Sequence, residues 1–204
     1  MIVIINYGMG NIRSILKAYE RLGIEVTHSS RIEDIMRAKK LVLPGVGHFA
    51  GGIGKLRKMG LIEALHKKVI VEKTPILGIC LGMQLFTERS EEGNVEGLGW
   101  IDAQTIKFEY EKDNSIRIPH IGWNSVNIER DCPIFHGLDT TQLFYFVHSY
   151  HVKCKNTSNV ASTTKYGIEF TSSIQKDNIW GVQFHPEKSH KNGLRILKNF
   201  WELV

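Results

Sequence analysis

The first ninety residues alternate short apolar runs with segments of helical periodicity, and this rhythm constrains the fold more than any other feature. Ile2–Ile5 is an uninterrupted apolar run, as expected of a strand buried on both faces. Apolar residues from Ile12 to Leu22 recur at helical spacing, and Gly23 follows where a helix cap belongs. We expect further strands at 24–27, 41–43 and 75–79, helical segments between them, and another helix beginning over 82–88.

The second half has a different pattern, with short strands expected at 101–108, 125–128, 143–152, 160–164, 168–174 and 179–184. Turn signals at 112–114 and 176–178 separate several of them, and an apolar stripe from Leu194 to Val204 predicts a closing helix. We therefore predict one domain over 1–204, of α/β class. It has a mixed, mostly parallel central sheet with helices on both faces and an antiparallel, strand-rich second half. Because ligands bind at the carboxyl ends of parallel strands, Gly8, the loop 45–47 and Cys80 should share one functional edge.

Composition excludes several function classes. The 204 residues are 42% hydrophobic and 23% charged, which is typical of globular proteins. No apolar run approaches the ~20 residues of a membrane helix, and the first residues do not resemble a secretory signal, so we expect a cytoplasmic protein without a membrane partner. The net charge of +5 comes from scattered lysines and arginines without a nucleic-acid-binding motif. Three cysteines without CxxC spacing support neither a disulfide framework nor a metal site.

Cys80 is the clearest candidate for chemistry, because it lies in a G-x-C-x-G pattern formed with Gly78 and Gly82. The pattern follows an apolar strand and precedes a helical run, which is the context of a nucleophile elbow. There the helix N-terminus favours the thiolate. A buried structural cysteine is the alternative.

His185 is the candidate base, since it alone of nine histidines has a carboxylate partner in register. Residues two apart in an extended chain point to the same side, so Glu187 can accept a hydrogen bond from the imidazole. Pro186 restrains the backbone between them. The alternative is a surface histidine beside a proline turn.

Acyl transfer also needs donors for an oxyanion. The amide of Leu81, after the nucleophile, is one candidate, and the amide of Val46 in the Pro-Gly-Val-Gly loop is the second. Glycines on both sides of Val46 would let its peptide rotate between two orientations. The alternative is a simple tight turn.

Taken together, these motifs resemble the class I (triad) glutamine amidotransferases, which have a flavodoxin-like fold. The resemblance spans the whole chain and rests on the following segments: Tyr7-Gly-Met-Gly-Asn11, Pro44-Gly-Val-Gly47, Gly78-Ile-Cys-Leu-Gly-Met-Gln84, Pro119-His-Ile-Gly-Trp-Asn124, Tyr145-Phe-Val-His-Ser-Tyr150 and Gly181-Val-Gln-Phe-His-Pro-Glu-Lys-Ser189. It implies that Cys80 attacks the carboxamide of L-glutamine, with His185 as base and Glu187 orienting it. It also implies that no cofactor is needed.

The same resemblance implies the roles of further residues. Gln84 and Glu92 would hold the backbone groups of glutamine, with main-chain contacts from Gly47, Ser149 and Tyr150. The most similar branch supplies ammonia to a (β/α)8-barrel cyclase subunit in histidine biosynthesis, so a heterodimer is expected. The residues at positions that face the cyclase in that branch are Asn11, Trp123, Asn124, Tyr145 and Lys188.

His48 departs from the pattern of that branch, where alanine or serine is more usual. The run His48-Phe49-Ala50 resembles paralogues that supply ammonia, through a cyclase-like subunit, to a sugar amidotransferase of surface polysaccharide biosynthesis. The final ammonia acceptor is therefore open. Two other classes compete: a cysteine hydrolase or peptidase on a related sheet, and a binding module that uses the turn at Gly8 and Gly10 as a phosphate site. That turn lacks the third glycine of the dinucleotide fingerprint.

Overall fold

The computed structural model describes residues 1–109 and 116–204, so the turn expected at 112–114 lies outside the described residues. Within these ranges, twelve strands form one sheet and two strands form a separate antiparallel ribbon. The strands are β1 Ile2–Ile5, β2 Val26–Ser29, β3 Lys40–Leu43, β4 Ile76–Ile79, β5 Thr87–Ser90, β6 Val95–Glu96, β7 Ile101–Lys107, β8 His120–Ser125, β9 Asn127–Ile128, β10 Leu143–His148, β11 Tyr150–Cys154, β12 Val160–Tyr166, β13 Ile168–Lys176 and β14 Ile179–Val182. The helices are α1 Ile12–Arg21, α2 Ile32–Arg37, α3 Phe49–Lys58, α4 Leu61–His66, α5 Leu81–Gln84 and α6 His190–Glu202.

The central sheet has the predicted mixed character. Strands β2, β1, β3, β4 and β14 are neighbours in that order and run parallel. Beyond β14 the order continues through β13, β11, β7, β5 and β6, and the pairs from β14 to β7 are antiparallel. The parallel half places the ends of β3, β4 and β14 side by side, which brings the loops after them to one edge.

Alternation along β1 explains why both faces of the sheet are covered. Ile2 and Ile4 pack with α1 and α6, whereas Val3 and Ile5 pack with α2, α3 and α4. All four side chains are fully buried. The expectation from the apolar run Ile2–Ile5 is therefore confirmed, with helices on both faces.

The helix expected over 82–88 is wrong beyond its first turn. Helix α5 ends at Gln84, whose carbonyl oxygen accepts a hydrogen bond from Thr87 Oγ1 at 2.8 Å. Thr87 then begins β5, which pairs in parallel with β7. Tertiary pairing overrides the local helical pattern here.

The single strand expected over 143–152 is also wrong, because the chain divides at Ser149. Strand β10 pairs with β8 in the ribbon, whereas β11 pairs with β7 in the main sheet. The strand expected at 125–128 is also wrong in its bounds: β8 begins earlier and ends at Ser125, and β9 covers only Asn127–Ile128. Among the described residues, no helix is long and apolar enough to cross a membrane.

Candidate active site

Cys80 lies in a strained turn between β4 and α5, with φ +53° and ψ −111°. Its backbone N–H donates to the carbonyl of Val182 at 2.8 Å, which ties the turn to the end of β14. A Cβ at Gly82 would lie 1.8 Å from the carbonyl oxygen of Leu43, and one at Gly78 would lie 2.5 Å from the Phe86 ring. Both glycines of the G-x-C-x-G pattern are thus required by close packing. A non-glycine residue in such a conformation costs on the order of 1–3 kcal/mol and is typical of functional sites.

His185 and Glu187 form a buried pair just after β14. The imidazole Nδ1 lies 2.8 Å from Glu187 Oε1, and each side chain is only 2% exposed. Because a carboxylate only accepts, Nδ1 carries the proton and Nε2 is left for a reacting group. Among the described residues, Nε2 has no nitrogen or oxygen partner, and the imidazole interacts electrostatically with the sulfur of Cys80.

The environment of His185 favours its charged form. Burial alone would lower the pKa of His185, but the sulfur of Cys80 and the carboxylate of Glu187 outweigh it, so the pKa is raised above its ordinary value. The elbow cysteine, the imidazole and the carboxylate therefore form an arrangement in which a thiolate can be balanced by an imidazolium.

A cavity of about 280 Å³ opens onto Cys80 and His185. It brings together every residue proposed for substrate or oxyanion contact, which are Val46, Gly47, Leu81, Gln84, Glu92, Ser149 and Tyr150. Glu92 Oε2 accepts the backbone N–H of Phe49 at 2.7 Å, so its carboxylate sits at the N-terminus of α3. His48 caps the same helix, with Nδ1 accepting from the N–H of Ala50 at 3.2 Å.

The two candidate oxyanion donors differ in their packing. Leu81 is buried, whereas Val46 is 41% exposed. Gly47 has φ +108°, and a Cβ there would lie 3.1 Å from the Met9 methyl group. The loop after β3 thus has the freedom at Gly47 that a rotating Val46 peptide requires.

Sequence reasoning missed Gln183, which is fully buried and lies against the nucleophile. Its Nε2 donates to Cys80 Sγ at 3.6 Å, and its Oε1 accepts from Gln84 Nε2 at 2.9 Å. The signal was present, because Gln183 lies two residues before His185 and so points to the same side of an extended chain.

It also missed two buried histidines. His148 lines the cavity, and its Nε2 lies 3.0 Å from Nδ1 of His120 on the neighbouring strand. Burial lowers the pKa of His120 to about 4 and that of His148 to about 3, so both are neutral at physiological pH. In the sequence, neither histidine has a charged residue two positions away, so no local pattern distinguishes them.

Three of the five residues expected at a partner interface lie together. Trp123 and Tyr145 are directly opposite each other on β8 and β10, and Lys188 Nζ lies 5.5 Å from the centre of the Tyr145 ring. Asn11 is exposed and caps α1, which packs against the turn containing Lys188. Asn124 is different, because it follows Trp123 in β8 and so faces the opposite side, where its Nδ2 donates to Lys165 O at 3.0 Å.

The other two cysteines have no comparable setting. Burial raises the pKa of Cys132 and of Cys154 to about 11, so both thiols stay protonated at neutral pH. Among the described residues, no group of three or more His, Cys, Asp or Glu side chains could hold a metal ion.

Comparison with known proteins shows which family and fold the chain resembles. Residues 3–203 match the model of the family "Glutamine amidotransferase class-I". The chain is 50% identical over 200 residues to "Imidazole glycerol phosphate synthase subunit HisH 2" of Methanococcus maripaludis, covering 98% of each chain. It is 47% identical over 209 residues to "Imidazole glycerol phosphate synthase subunit HisH 1" of the same organism, covering 100% of each. A solved structure described as a glutamine amidotransferase has a TM-score of 0.76 at 19% identity, with 98% of this chain and 97% of that chain covered, which shows the shared fold.

Proposed function

The chain belongs to the class-I glutamine amidotransferase family, and from this premise we propose that it is the glutaminase subunit of an imidazole glycerol phosphate synthase. It would hydrolyse L-glutamine and pass the ammonia to a (β/α)8-barrel cyclase subunit, within a cytoplasmic pathway of histidine biosynthesis. The 204 residues would act as one amidotransferase domain. The observation that carries the proposal is the buried pair of His185 and Glu187, which leaves Nε2 of His185 for a reacting group in the cavity that His185 and Cys80 both line.

The first half-reaction begins with the Cys80 thiolate adding to the carboxamide carbon of glutamine. The C=O electron pair moves to oxygen, and the amides of Val46 and Leu81 would stabilise that oxyanion. Nε2 of His185 then gives its proton to the departing nitrogen, the C–N bond breaks, and ammonia leaves a γ-glutamyl thioester on Cys80.

The second half-reaction regenerates the enzyme. Neutral His185 accepts a proton from water as the water oxygen adds to the thioester carbon, and the C–S bond breaks to release glutamate and the thiolate. Glu187 holds the imidazole in the same tautomer throughout and stabilises its charged form. Gln84 and Glu92, which line the cavity, would hold the amino-acid backbone of glutamine.

A partner subunit is favoured by chemistry as well as by the names of the relatives. Ammonia released into water at neutral pH is mostly ammonium and no longer nucleophilic, so a sheltered route is useful. The exposed loop at Val46 also allows partner binding to bring an oxyanion donor into place. We therefore expect slow glutamine hydrolysis by the isolated chain and a large increase with its cyclase.

The test is glutamate and ammonia release by the chain with and without a candidate cyclase. Cys80→Ser and His185→Ala should lose activity by at least ~1000-fold, because nucleophile and base act as a unit. Glu187→Gln should be milder, since the thiol keeps its base. Cys132→Ser is the matched control and should stay active. Full activity in Cys80→Ser, or equal rates with and without the cyclase, would refute the proposal.

A second candidate function differs only in the final ammonia acceptor. His48 is its observation, together with the fact that Methanococcus maripaludis has two similar proteins with numbered names. In this version the ammonia passes through a cyclase-like subunit to a sugar amidotransferase of surface polysaccharide biosynthesis. Assaying the aminated product with each type of partner separates the two: imidazole glycerol phosphate and an aminoimidazole carboxamide ribotide indicate the first, and an amidated sugar indicates the second.

A further inference from the structure

Two side-chain amide groups and one backbone carbonyl form an ordered hydrogen-bonded chain that ends at the sulfur of Cys80. The carbonyl oxygen of Tyr150 accepts from Gln84 Nε2 at 3.0 Å, Gln84 Nε2 also donates to Gln183 Oε1 at 2.9 Å, and Gln183 Nε2 donates to Cys80 Sγ at 3.6 Å. We infer that Gln183 stabilises the reactive thiolate of Cys80 by donating this hydrogen bond, and that it transmits the position of Gln84 to the sulfur. The inference rests on the proposed role of Cys80 as nucleophile.

The direction of every hydrogen bond in the chain is determined by its first member. A carbonyl oxygen can only accept, so Gln84 must turn its NH₂ group toward Tyr150. Its second amino hydrogen then points at Gln183, which must present its oxygen there and its own NH₂ group to the sulfur. The reverse orientation of either glutamine would place two acceptors or two donors in contact.

His148 strengthens this anchoring. The same Tyr150 oxygen accepts from His148 Nδ1 at 2.8 Å, which uses its second lone pair. His148 is neutral, so its Nε2 accepts from Nδ1 of His120, and Nε2 of His120 lies 3.5 Å from Asn124 Nδ2. The carbonyl that orients Gln84 and Gln183 is therefore held by a second buried chain.

Besides Gln183, the imidazole of His185 and the carbonyl of Val147 act on the sulfur. The carbonyl oxygen of Val147 lies 4.0 Å from Sγ, and as an acceptor it favours the thiol rather than the thiolate. Gln183 supplies the opposite effect, because a donor favours the charged form. With both hydrogens of Gln84 engaged, its Oε1 is the atom left for a substrate ammonium group. A displaced Gln84 would therefore disturb both substrate binding and the sulfur.

The experiment measures the rate of Cys80 alkylation by iodoacetamide against pH in the isolated full-length chain. Gln183→Glu keeps the shape and the acceptor for Gln84 but removes the donor, and Gln183→Met removes both polar atoms at similar volume. We expect the pH midpoint of alkylation to rise by about one unit or more in both variants, the scale of a hydrogen bond to a charged group. Gln183→Glu should shift further because it adds a negative charge. Gln104→Met, at a half-buried glutamine of β7, is the matched control and should leave the midpoint unchanged.

Unchanged midpoints in folded Gln183→Glu and Gln183→Met would overturn the inference. A purely structural role would lower the melting temperature without moving the midpoint, which would also overturn it. If neither variant folds, the side-chain amide protons of Gln183 in the wild-type chain should change NMR shift as the thiol ionises, and their failure to do so would overturn it too. Glutamine hydrolysis by Cys80→Ser would instead refute the proposed function, so the two failures are distinguishable.

Discussion

At the scale of single residues, the active site depends on positions where no side chain fits. Cys80 adopts a strained backbone because Gly82 allows α5 to approach the end of β3, where a Cβ would lie 1.8 Å from Leu43 O. The obstructing atom belongs to the backbone of a central strand, so it cannot move aside without disturbing the sheet. The small residue is thus what allows the sulfur to stand above the strand ends.

This predicts opposite effects for two glycine-to-alanine changes. Gly82→Ala should destabilise the chain by roughly 3 kcal/mol or more, or displace α5 and abolish glutamine hydrolysis, because of overpacking against backbone. Gly54→Ala is the matched control: Gly54 lies within α3 and nothing lies within 4 Å of the added methyl group, so it should stabilise by up to about 1 kcal/mol. Urea unfolding and ammonia release measure both. A stable, active Gly82→Ala variant would contradict the role given to the turn.

At the scale of secondary-structure elements, the ribbon of β8 and β10 carries a buried polar layer. His120 and His148 are paired across the two strands, and the His120 ring stacks on Tyr166 with centroids 3.9 Å apart. Because their pKa values are lowered to about 4 and about 3, these histidines remain neutral when folded. In the unfolded chain they would titrate near 6.5.

Mildly acidic pH should therefore lower the free energy of unfolding. Between about pH 6.5 and 4, the unfolded state binds more protons than the folded state, so the free energy of unfolding falls by about 1.4 kcal/mol per pH unit for each histidine that is charged only when unfolded. The pKa of His185 is shifted in the opposite direction, above its ordinary value. His185 is therefore protonated in both the folded and the unfolded state below pH 6.5, and it does not contribute to the pH dependence of the free energy of unfolding there.

The measurement is urea unfolding of wild type and His120→Gln between pH 7 and 5. Proton uptake on unfolding at pH 5 should fall by about one in the variant, because one titrating group is lost. His66→Gln, at an exposed position of α4, serves as the control and should keep the wild-type slope. An identical slope in wild type and His120→Gln would show that His120 is not kept neutral by folding.

The elements also show what sequence can and cannot predict. The strands β1, β3 and β4, the elbow at Cys80 and the pairing of His185 with Glu187 follow from local patterns, since each depends on neighbouring residues or on a period of two. The division at Ser149 does not, because it depends on which distant strand each half meets. Gln183 and His148 likewise acquire their roles only from long-range contacts with Cys80, Gln84 and His120.

At the scale of the whole molecule, the outward face of the ribbon is exposed and apolar. Ile121 is 57% exposed, Trp123 44% and Leu143 46%. The ring of Trp123 is stacked on His190 with centroids 4.9 Å apart, and Lys188 lies beside Tyr145. An exposed apolar centre with a charged side chain at its edge is a common composition for a docking surface. The inward face of the same two strands carries His120 and His148, and Nδ1 of His148 donates to Tyr150 O.

Trp123→Ala should therefore weaken binding of the cyclase by roughly 30-fold or more, as expected for a central aromatic anchor, and reduce activation of glutamine hydrolysis accordingly. Cys80 alkylation in the isolated chain should be unaffected, since the side chain lies outside the cavity. Val71→Asp is the control, because Val71 is 68% exposed in the short π-helical segment Lys67–Val71 that follows α4, away from the ribbon. Calorimetric titration with the cyclase measures affinity and the glutaminase assay measures activation. If Trp123→Ala bound the cyclase and were activated by it normally while Val71→Asp were not, the cyclase would dock on the α4 side. The ribbon would then not connect the cyclase interface to the cavity.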